Sequence, residues 1–196
     1  MIKLPSTALS ALVISFCLLS SIQAWQKGSV SSASSAERKL DHIERNGALD
    51  HPDPAPTVLS EQEVNAYLAS GSVQLPAGVQ SLKLEGNSGN VIGRTRVDFD
   101  KVREGTRNAN PLLSLFSGVH DVVITAQAQG SRGQGVVRVQ QVWFDGTEIP
   151  RFVVQLFAEK YLTPRYPGVG MDSNFKLPSR IDTAVVGQHM VTVVQK

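Results

Sequence analysis

A glycine-rich run is the first segment whose residue types could do chemistry. Gly130–Gly135 reads Gly-Ser-Arg-Gly-Gln-Gly, and closely spaced glycines let backbone amides approach a phosphate. A phosphate-binding loop, however, leads from a strand into a helix. This run leads into Val136–Val139, which is strand-like. We therefore predict a hairpin turn at this position and no phosphate site.

Metal ligation is the chemistry that Asp50, His51 and Asp53 could offer. A zinc site needs three or four ligands at set spacings. Prolines separate these residues, and no second histidine lies nearby in the sequence. The sequence therefore predicts no metal site, and nothing else in it indicates a cofactor.

Acid–base chemistry would need a histidine paired with a carboxylate, and His120 precedes Asp121 directly. Adjacent residues of a strand point to opposite faces, so these two cannot easily pair with each other. His189 has no acid nearby in the sequence, and the chain lacks the Gly-x-Ser-x-Gly elbow of many hydrolases. We predict that the protein is not an enzyme. A hydrolase in which His120 and His189 converge with a serine and an acid is the least favoured hypothesis.

Arg94 and Arg96 alternate along one predicted strand and share a face with Asp98 and Asp100. A solvated outer face is the favoured interpretation, because exposed ion pairs contribute little to stability. The functional alternative is contact between the two arginines and the headgroup of an anionic lipid.

The N-terminus has the pattern of a secretory signal. Lys3 precedes an apolar stretch at Ala8–Leu19, and small residues lead to Ala24 as the expected last residue before cleavage. The apolar stretch is too short for a membrane span, which needs about 20 residues. We predict a signal peptide at residues 1–24 and a protein that is exported to the periplasm or secreted. The single cysteine, Cys17, lies inside this segment, so the mature chain would have no disulfide or thiol.

The composition after cleavage limits the class of partner. Loss of Lys3 would leave 18 basic residues, one fewer than the 19 of the whole chain, against 17 acidic residues. A nearly neutral chain is not suited to nucleic acid, so we expect no nucleic-acid partner. The remaining length is that of one domain.

Residues 25–56 are expected to be a flexible Ser/Pro-rich linker with at most one short helix, at Ala36–Asn46. Three alternating prolines favour an extended chain at Pro52–Pro56. Residues 57–196 are then the folded domain.

The domain should contain two main helices and several antiparallel strands. Ser60 and Glu63 fit a capping box, which predicts a helix from Glu61 to about Ala69. A second helix should follow Pro150, because apolar residues then recur at helical spacing. Strand pairs are predicted around turns at residues 86–90 and 130–133, and a last hairpin at residues 187–188. A short apolar helix is predicted at residues 110–116.

Four segments, in this order, resemble the LmeA-like lipid-binding proteins of bacterial envelopes, which belong to the tubular lipid-binding (TULIP-like) group. The matching segments are Leu59–Leu68, Gly93–Asp100, Gln141–Pro150 and Phe175–Ile181. The resemblance implies an α+β fold with a strongly curved, mostly antiparallel sheet packed on two helices as a half barrel. It also implies a groove for acyl chains, peripheral contact with a membrane, and no catalytic residues.

The apolar faces of the predicted elements would build a core in any fold. Under the resemblance, the same side chains would line a groove for a lipid or another hydrophobic molecule. These candidate ligand-binding residues are Val64, Tyr67, Leu68, Val97, Phe99, Leu112, Leu115, Phe116, Phe152, Leu156 and Phe157. For the segment at residues 112–116, burial is favoured over contact with an apolar partner. The alternative function is an interaction or scaffolding module of the periplasm with a filled core and no ligand.

Overall fold

The computed structural model describes residues 30–104, 111, 114 and 116–196. Within these residues the fold is α+β, with an open, antiparallel sheet of nine strands and four helices. The predicted signal peptide at residues 1–24 and most of the predicted short helix at residues 110–116 lie outside the described residues. No helix of the described part has the length and apolar content needed to cross a bilayer.

The nine strands are numbered in chain order, and helices separate β1 from β2, β3 from β4, and β6 from β7. Their bounds are β1 Thr57–Ser60, β2 Val79–Asn87, β3 Asn90–Asp98, β4 Val119–Ser131, β5 Gln134–Phe144, β6 Thr147–Glu148, β7 Asp172–Lys176, β8 Ile181–Val186 and β9 Met190–Gln195. The main path of the sheet runs β1-β9-β8-β4-β3-β2, and β5 pairs with β4, β6 and β7. The long strand β4 therefore joins the two halves of the sheet.

Two tight turns explain the long hairpins in the middle of the chain. Arg132 and Gly133 connect β4 to β5 and have φ angles of 54° and 73°. Ser88 and Gly89 connect β2 to β3 and also have positive φ angles. Two consecutive positive φ angles are typical of the two-residue hairpin turn whose twist matches that of the strands. The prediction of a hairpin at Gly130–Gly135 is confirmed.

Helix α2 (Glu61–Ala69) begins as its sequence predicts. Ser60 Oγ accepts a hydrogen bond from the Glu63 amide, and the Glu63 carboxylate accepts one from the Ser60 amide. This capping box satisfies amides that the first helical turn cannot bond internally. The predicted helix at residues 61–69 is confirmed.

Two further helices flank the β4–β5 hairpin in the sequence, one before β4 and one after β6. Helix α3 (Phe99–Val102) is a single turn capped by Asp98. Helix α4 (Arg151–Phe157) starts after Pro150 and continues as a π-helical turn at Ala158–Leu162. The predicted helix after Pro150 is confirmed, with the proline at the N-cap and not at the first helical position.

Helix α1 covers residues 30–47, where the sequence predicted a flexible linker with at most a short helix. Ala36, Leu40 and Ile43 recur at helical spacing and pack against Leu59 and Val193 of the sheet. The helix ends so close to the turn before β8 that a β-carbon at Gly47 would lie 2.2 Å from a backbone oxygen. Residues 30–47 of the expected linker are therefore part of the fold, because their few apolar residues form one continuous stripe. Residues 52–56, where the prolines predicted an extended chain, have no regular secondary structure.

The buried side chains form two clusters. The larger one lies between β3, β4, β5 and α4, and four phenylalanines form its centre: Phe99, Phe116, Phe144 and Phe157. The smaller one lies between α1, β1 and β9. Each cluster is adjacent to an apolar cavity.

Candidate functional site

The first cavity lies under α4 and its π-helical turn, and we call it the α4 cavity. Its volume is about 510 Å³. Val97, Val122, Ile124 and Val142 line it from the sheet. Because same-face residues of a strand alternate, these positions form one apolar surface across β3, β4 and β5. Ligand pockets typically measure about 300–1,000 Å³, so the volume suits a small ligand.

The helical wall of the α4 cavity is also apolar. Val154, Phe157, Ala158 and Leu162 line it from α4 and the π-helical turn. The hydroxyl of Thr95, on the sheet, donates to the Ser81 carbonyl at 2.6 Å and so is already satisfied. Apart from Arg165 and the hydroxyl of Tyr166, the described side chains of the lining offer no free polar group, which favours an alkyl chain as the main part of the ligand.

Arg165 is the only charged residue among the described residues that line the α4 cavity. It follows the π-helical turn, and its guanidinium donates to the backbone carbonyls of Val102 and Glu104, the latter at 2.8 Å. None of the ion pairs between described residues includes Arg165. Its positive charge is therefore available at the edge of an apolar cavity.

The second cavity lies between α1, α2 and the β8–β9 hairpin, and we call it the α2 cavity. Its volume is about 470 Å³. Leu40 and Ile43 line it from α1, and Val191 and Val193 line it from β9. Helix α1 is held over it by the Lys39 ammonium, which lies 2.7 Å from the Glu63 carboxylate.

Six of the predicted ligand-binding residues line one of these two cavities. Val97, Phe99 and Phe157 line the α4 cavity, and Val64, Tyr67 and Leu68 line the α2 cavity. The sequence thus identified residues of two separate cavities where it predicted one groove.

The other predicted apolar residues are placed differently. Phe116 is 1% exposed and stacks on Phe157 with ring centroids 4.2 Å apart, so it belongs to the filled core. Leu156 is partly buried against the same core, whereas Phe152 is 58% exposed and faces solvent. The helical spacing that grouped Phe152 with Phe157 was misleading, because α4 buries only a narrow stripe. Leu112 and Leu115 lie outside the described residues.

Arg94 and Arg96 lie on the face of β3 opposite Thr95 and Val97, which line the α4 cavity. Arg94 Nε lies 3.2 Å from Glu85, and Arg96 lies 3.6 Å from Asp121. Both arginines are largely exposed. The predicted headgroup contact is therefore not adjacent to either cavity, and the solvated-face interpretation fits this placement.

His120 is paired, but not with its sequence neighbour. Its Nδ1 lies 2.7 Å from Asp145 Oδ2, and its Nε2 lies 2.8 Å from the Ser117 carbonyl oxygen. Both partners accept hydrogen bonds, so a ring that donates to both carries two protons. The Asp145 carboxylate accordingly raises the pKa of His120, despite opposition from partial burial. The pair fastens the start of β4 to the β5–β6 turn.

This geometry predicts a pH dependence of stability. A histidine whose pKa is raised by folding stabilises the fold fully below its unfolded pKa of about 6.5, and the contribution is lost as pH rises through the folded pKa. We expect the difference in melting temperature between the wild type and His120→Gln to be larger at about pH 5.5 than at about pH 9. Thermal unfolding monitored by circular dichroism measures it. The exposed His42→Gln variant is the control, and equal differences at both pH values would contradict the assignment.

His189 also finds an acid that the sequence did not place nearby. Its Nδ1 lies 2.8 Å from Glu61 Oε2, so the β8–β9 turn is tied to the start of α2. The hydrogen bond from His189 lowers the pKa of Glu61. Within the described part of the chain, no three His, Cys, Asp or Glu side chains come together as a metal site.

Sequence reasoning missed Arg165 and most of the sheet wall. Val122 and Ile124 are two residues apart on β4, and Val142 and Phe144 are two residues apart on β5. This spacing places each pair on one face of its strand, and it was the signal from which that wall could have been predicted. No comparable signal marks Arg165, since its position depends on how the chain folds back after α4. The chain matches no protein-family model, no curated protein and no solved structure at a significant level.

Proposed function

We propose that the protein binds a lipid or another hydrophobic ligand in the bacterial cell envelope, without catalysis. The observation that carries this proposal is the α4 cavity, with its volume of about 510 Å³ and apolar lining. Side chains around an empty apolar space forgo dispersion contacts, so an apolar occupant would stabilise the fold. Each methylene removed from water would contribute about 0.8 kcal/mol to binding.

The placement of the helices supports a TULIP-like half barrel as the finer description of the fold. Leu82 lines the α4 cavity, and Leu84 lies two residues further along β2 against Val64 of α2. Alternate residues of a strand share a face, so α2 and α4 cover the same face of the sheet. We propose that this face is strongly curved and receives the ligand. Residues 1–24 would direct the protein out of the cytoplasm.

Native mass spectrometry of the protein purified from envelope fractions tests the proposal. We expect a bound mass of lipid size that dissociates on activation, and a polypeptide mass that lacks residues 1–24. A bare mass, together with no uptake of a fluorescent fatty acid, would remove support for ligand binding. That outcome would favour the alternative of a periplasmic scaffolding module with no ligand, and the search would move to protein partners.

Arg165 makes an anionic amphiphile the preferred ligand of the α4 cavity. Its guanidinium can donate to a carboxylate or phosphate while the alkyl chain occupies the apolar space. A hydrogen bond to a charged group contributes roughly 1.5–3 kcal/mol. Because Arg165 is exposed, we take the lower end of that range, which corresponds to about tenfold in affinity.

Arg165→Gln should therefore weaken binding of palmitate about tenfold and leave binding of the uncharged hexadecanol unchanged. Glutamine keeps an amide that can donate to the carbonyls of Val102 or Glu104. Competition with a fluorescent fatty acid measures both ligands. Lys160→Gln, which removes an exposed charge from the π-helical turn that precedes Arg165, is the matched control. Equal losses for palmitate and hexadecanol would show that Arg165 supports the fold and does not contact the headgroup.

A further inference from the structure

A smaller pocket continues from the α2 cavity along the same face of the sheet. We call it the bridging pocket; its volume is about 220 Å³, and Leu84 and Val91 line it from β2 and β3. Val64 and Val191 line both the bridging pocket and the α2 cavity. The bridging pocket and the α2 cavity are therefore neighbours, with the side chains of Val64 and Val191 between them.

Gly93 lies between the bridging pocket and the α4 cavity. Its partner on β2 is Leu84, which lines the bridging pocket. Its partner on β4 is Ile124, which lines the α4 cavity. Gly93 also alternates with Val91 and Thr95, so the missing side chain would point to the same face. The sheet thus lacks a side chain at Gly93, between the α4 cavity and the bridging pocket.

The backbone does not require a glycine at this position. Gly93 is not among the glycines with positive φ. Of the described residues, only Leu84 comes near an added β-carbon, with its Cδ2 at 3.6 Å, which is ordinary contact. Gly47, by contrast, has backbone atoms that exclude any side chain. Because glycine weakens a strand interior, a glycine without a backbone reason indicates a need for open space.

We infer that Gly93 sets the length of alkyl chain that the protein accepts. A chain whose anionic end contacts Arg165 fills the α4 cavity first, and its far end then passes over Gly93 into the bridging pocket. The occupant is a linear chain with one charged end, because most side chains along the path are apolar and the one cation among its described lining residues, Arg165, is at the α4 end. Glu61 and Glu85 also line the bridging pocket, but their carboxylates are paired with His189 and Arg94. This inference rests on the proposed function and adds the ligand's chain length to it.

Gly93→Val tests the inference with a homologous series of saturated fatty acids from octanoate to stearate. Wild-type affinity should rise with chain length across the whole series. In Gly93→Val, short chains should bind as in the wild type, and affinity should stop rising once the α4 cavity is full. The long-chain loss should be about fourfold for each methylene that can no longer be buried. Valine suits a strand, so the variant should fold.

Two further variants make the result decisive. Lys83→Val adds the same side chain to the opposite face of the neighbouring strand and should bind the whole series like the wild type. Gly93→Ala should give a smaller long-chain loss, and it replaces Gly93→Val if that variant does not fold. Equal losses for octanoate and stearate, or no loss for either, would overturn the role of Gly93 while leaving ligand binding intact. A wild type that binds no chain at all would overturn the proposed function itself.

Discussion

Replacing Val154 with tryptophan should abolish binding of alkyl ligands. Val154 lies on α4 and lines the α4 cavity, so an indole at this position would occupy space that the ligand needs. Excluding only four methylenes would cost about 3 kcal/mol of binding free energy, which is more than a hundredfold in affinity. Titration with a fluorescent fatty acid, followed by competition with palmitate, measures the effect.

The melting temperature of the same variant also shows whether the α4 cavity is empty or filled by side chains. In a filled core, a larger side chain forces its neighbours apart and costs about 1–3 kcal/mol. In a cavity of about 510 Å³ the indole can be accommodated, so the melting temperature should not fall. Gln155→Trp places the same ring on the exposed side of α4 and should change neither property. Unchanged palmitate affinity in Val154→Trp would place the ligand elsewhere in the molecule.

The elements could be predicted from the sequence wherever local interactions determine them. The Ser60–Glu63 capping box fixes the start of α2 within a few residues of sequence. The hairpin at Arg132 and Gly133 follows from the turn residues between two alternating strands. Such signals are short in range, so no alignment or fold is needed to interpret them.

The candidate site was only partly predictable, because cavities depend on how faces are assembled. Val97 and Val64 were both assigned to apolar faces correctly, but they line different cavities. Arg94 has the charge expected of a headgroup contact, yet its strand turns it to the opposite face. Arg165 is brought to the α4 cavity by hydrogen bonds to carbonyls about sixty residues away in sequence. No local sequence pattern predicts a contact between residues so far apart in the chain.

Helix α1 is the element for which the prediction from the sequence differs most from the structure. Its apolar stripe is too sparse for a stable isolated helix, which is why a flexible linker was predicted. The missing stability comes from tertiary contacts that use polar groups. The Glu63 carboxylate receives hydrogen bonds from Lys39 and Ser35 as well as from Ser60, which together lower its pKa to about 2 despite partial burial. A side chain that caps α2 therefore also anchors α1.

Gln195→Ala should release the other end of α1 and lower the melting temperature by roughly 6–12 °C. Gln195 is 3% exposed, and its amide donates to the carbonyls of Ile43 at 2.7 Å and Ser179 at 2.6 Å. Its carbonyl accepts from the Asn46 amide at 2.9 Å. Unsatisfied buried groups cost about 1–3 kcal/mol each, so we expect a loss of about 3 kcal/mol. Thermal unfolding gives the stability, and hydrogen exchange at residues 36–46 shows whether α1 is released.

Gln188→Ala is the matched control, since Gln188 is exposed in the turn between the same two strands. Asn46→Ala completes a double-mutant cycle, and a coupling energy between Asn46 and Gln195 would show that they act as one network. A flexible linker at residues 30–47 predicts no coupling and the same melting temperature for both glutamine variants. The two interpretations of this segment therefore differ by several degrees in one measurement. Because α1 also lines the α2 cavity, a released helix would open that cavity to solvent and leave the α4 cavity intact.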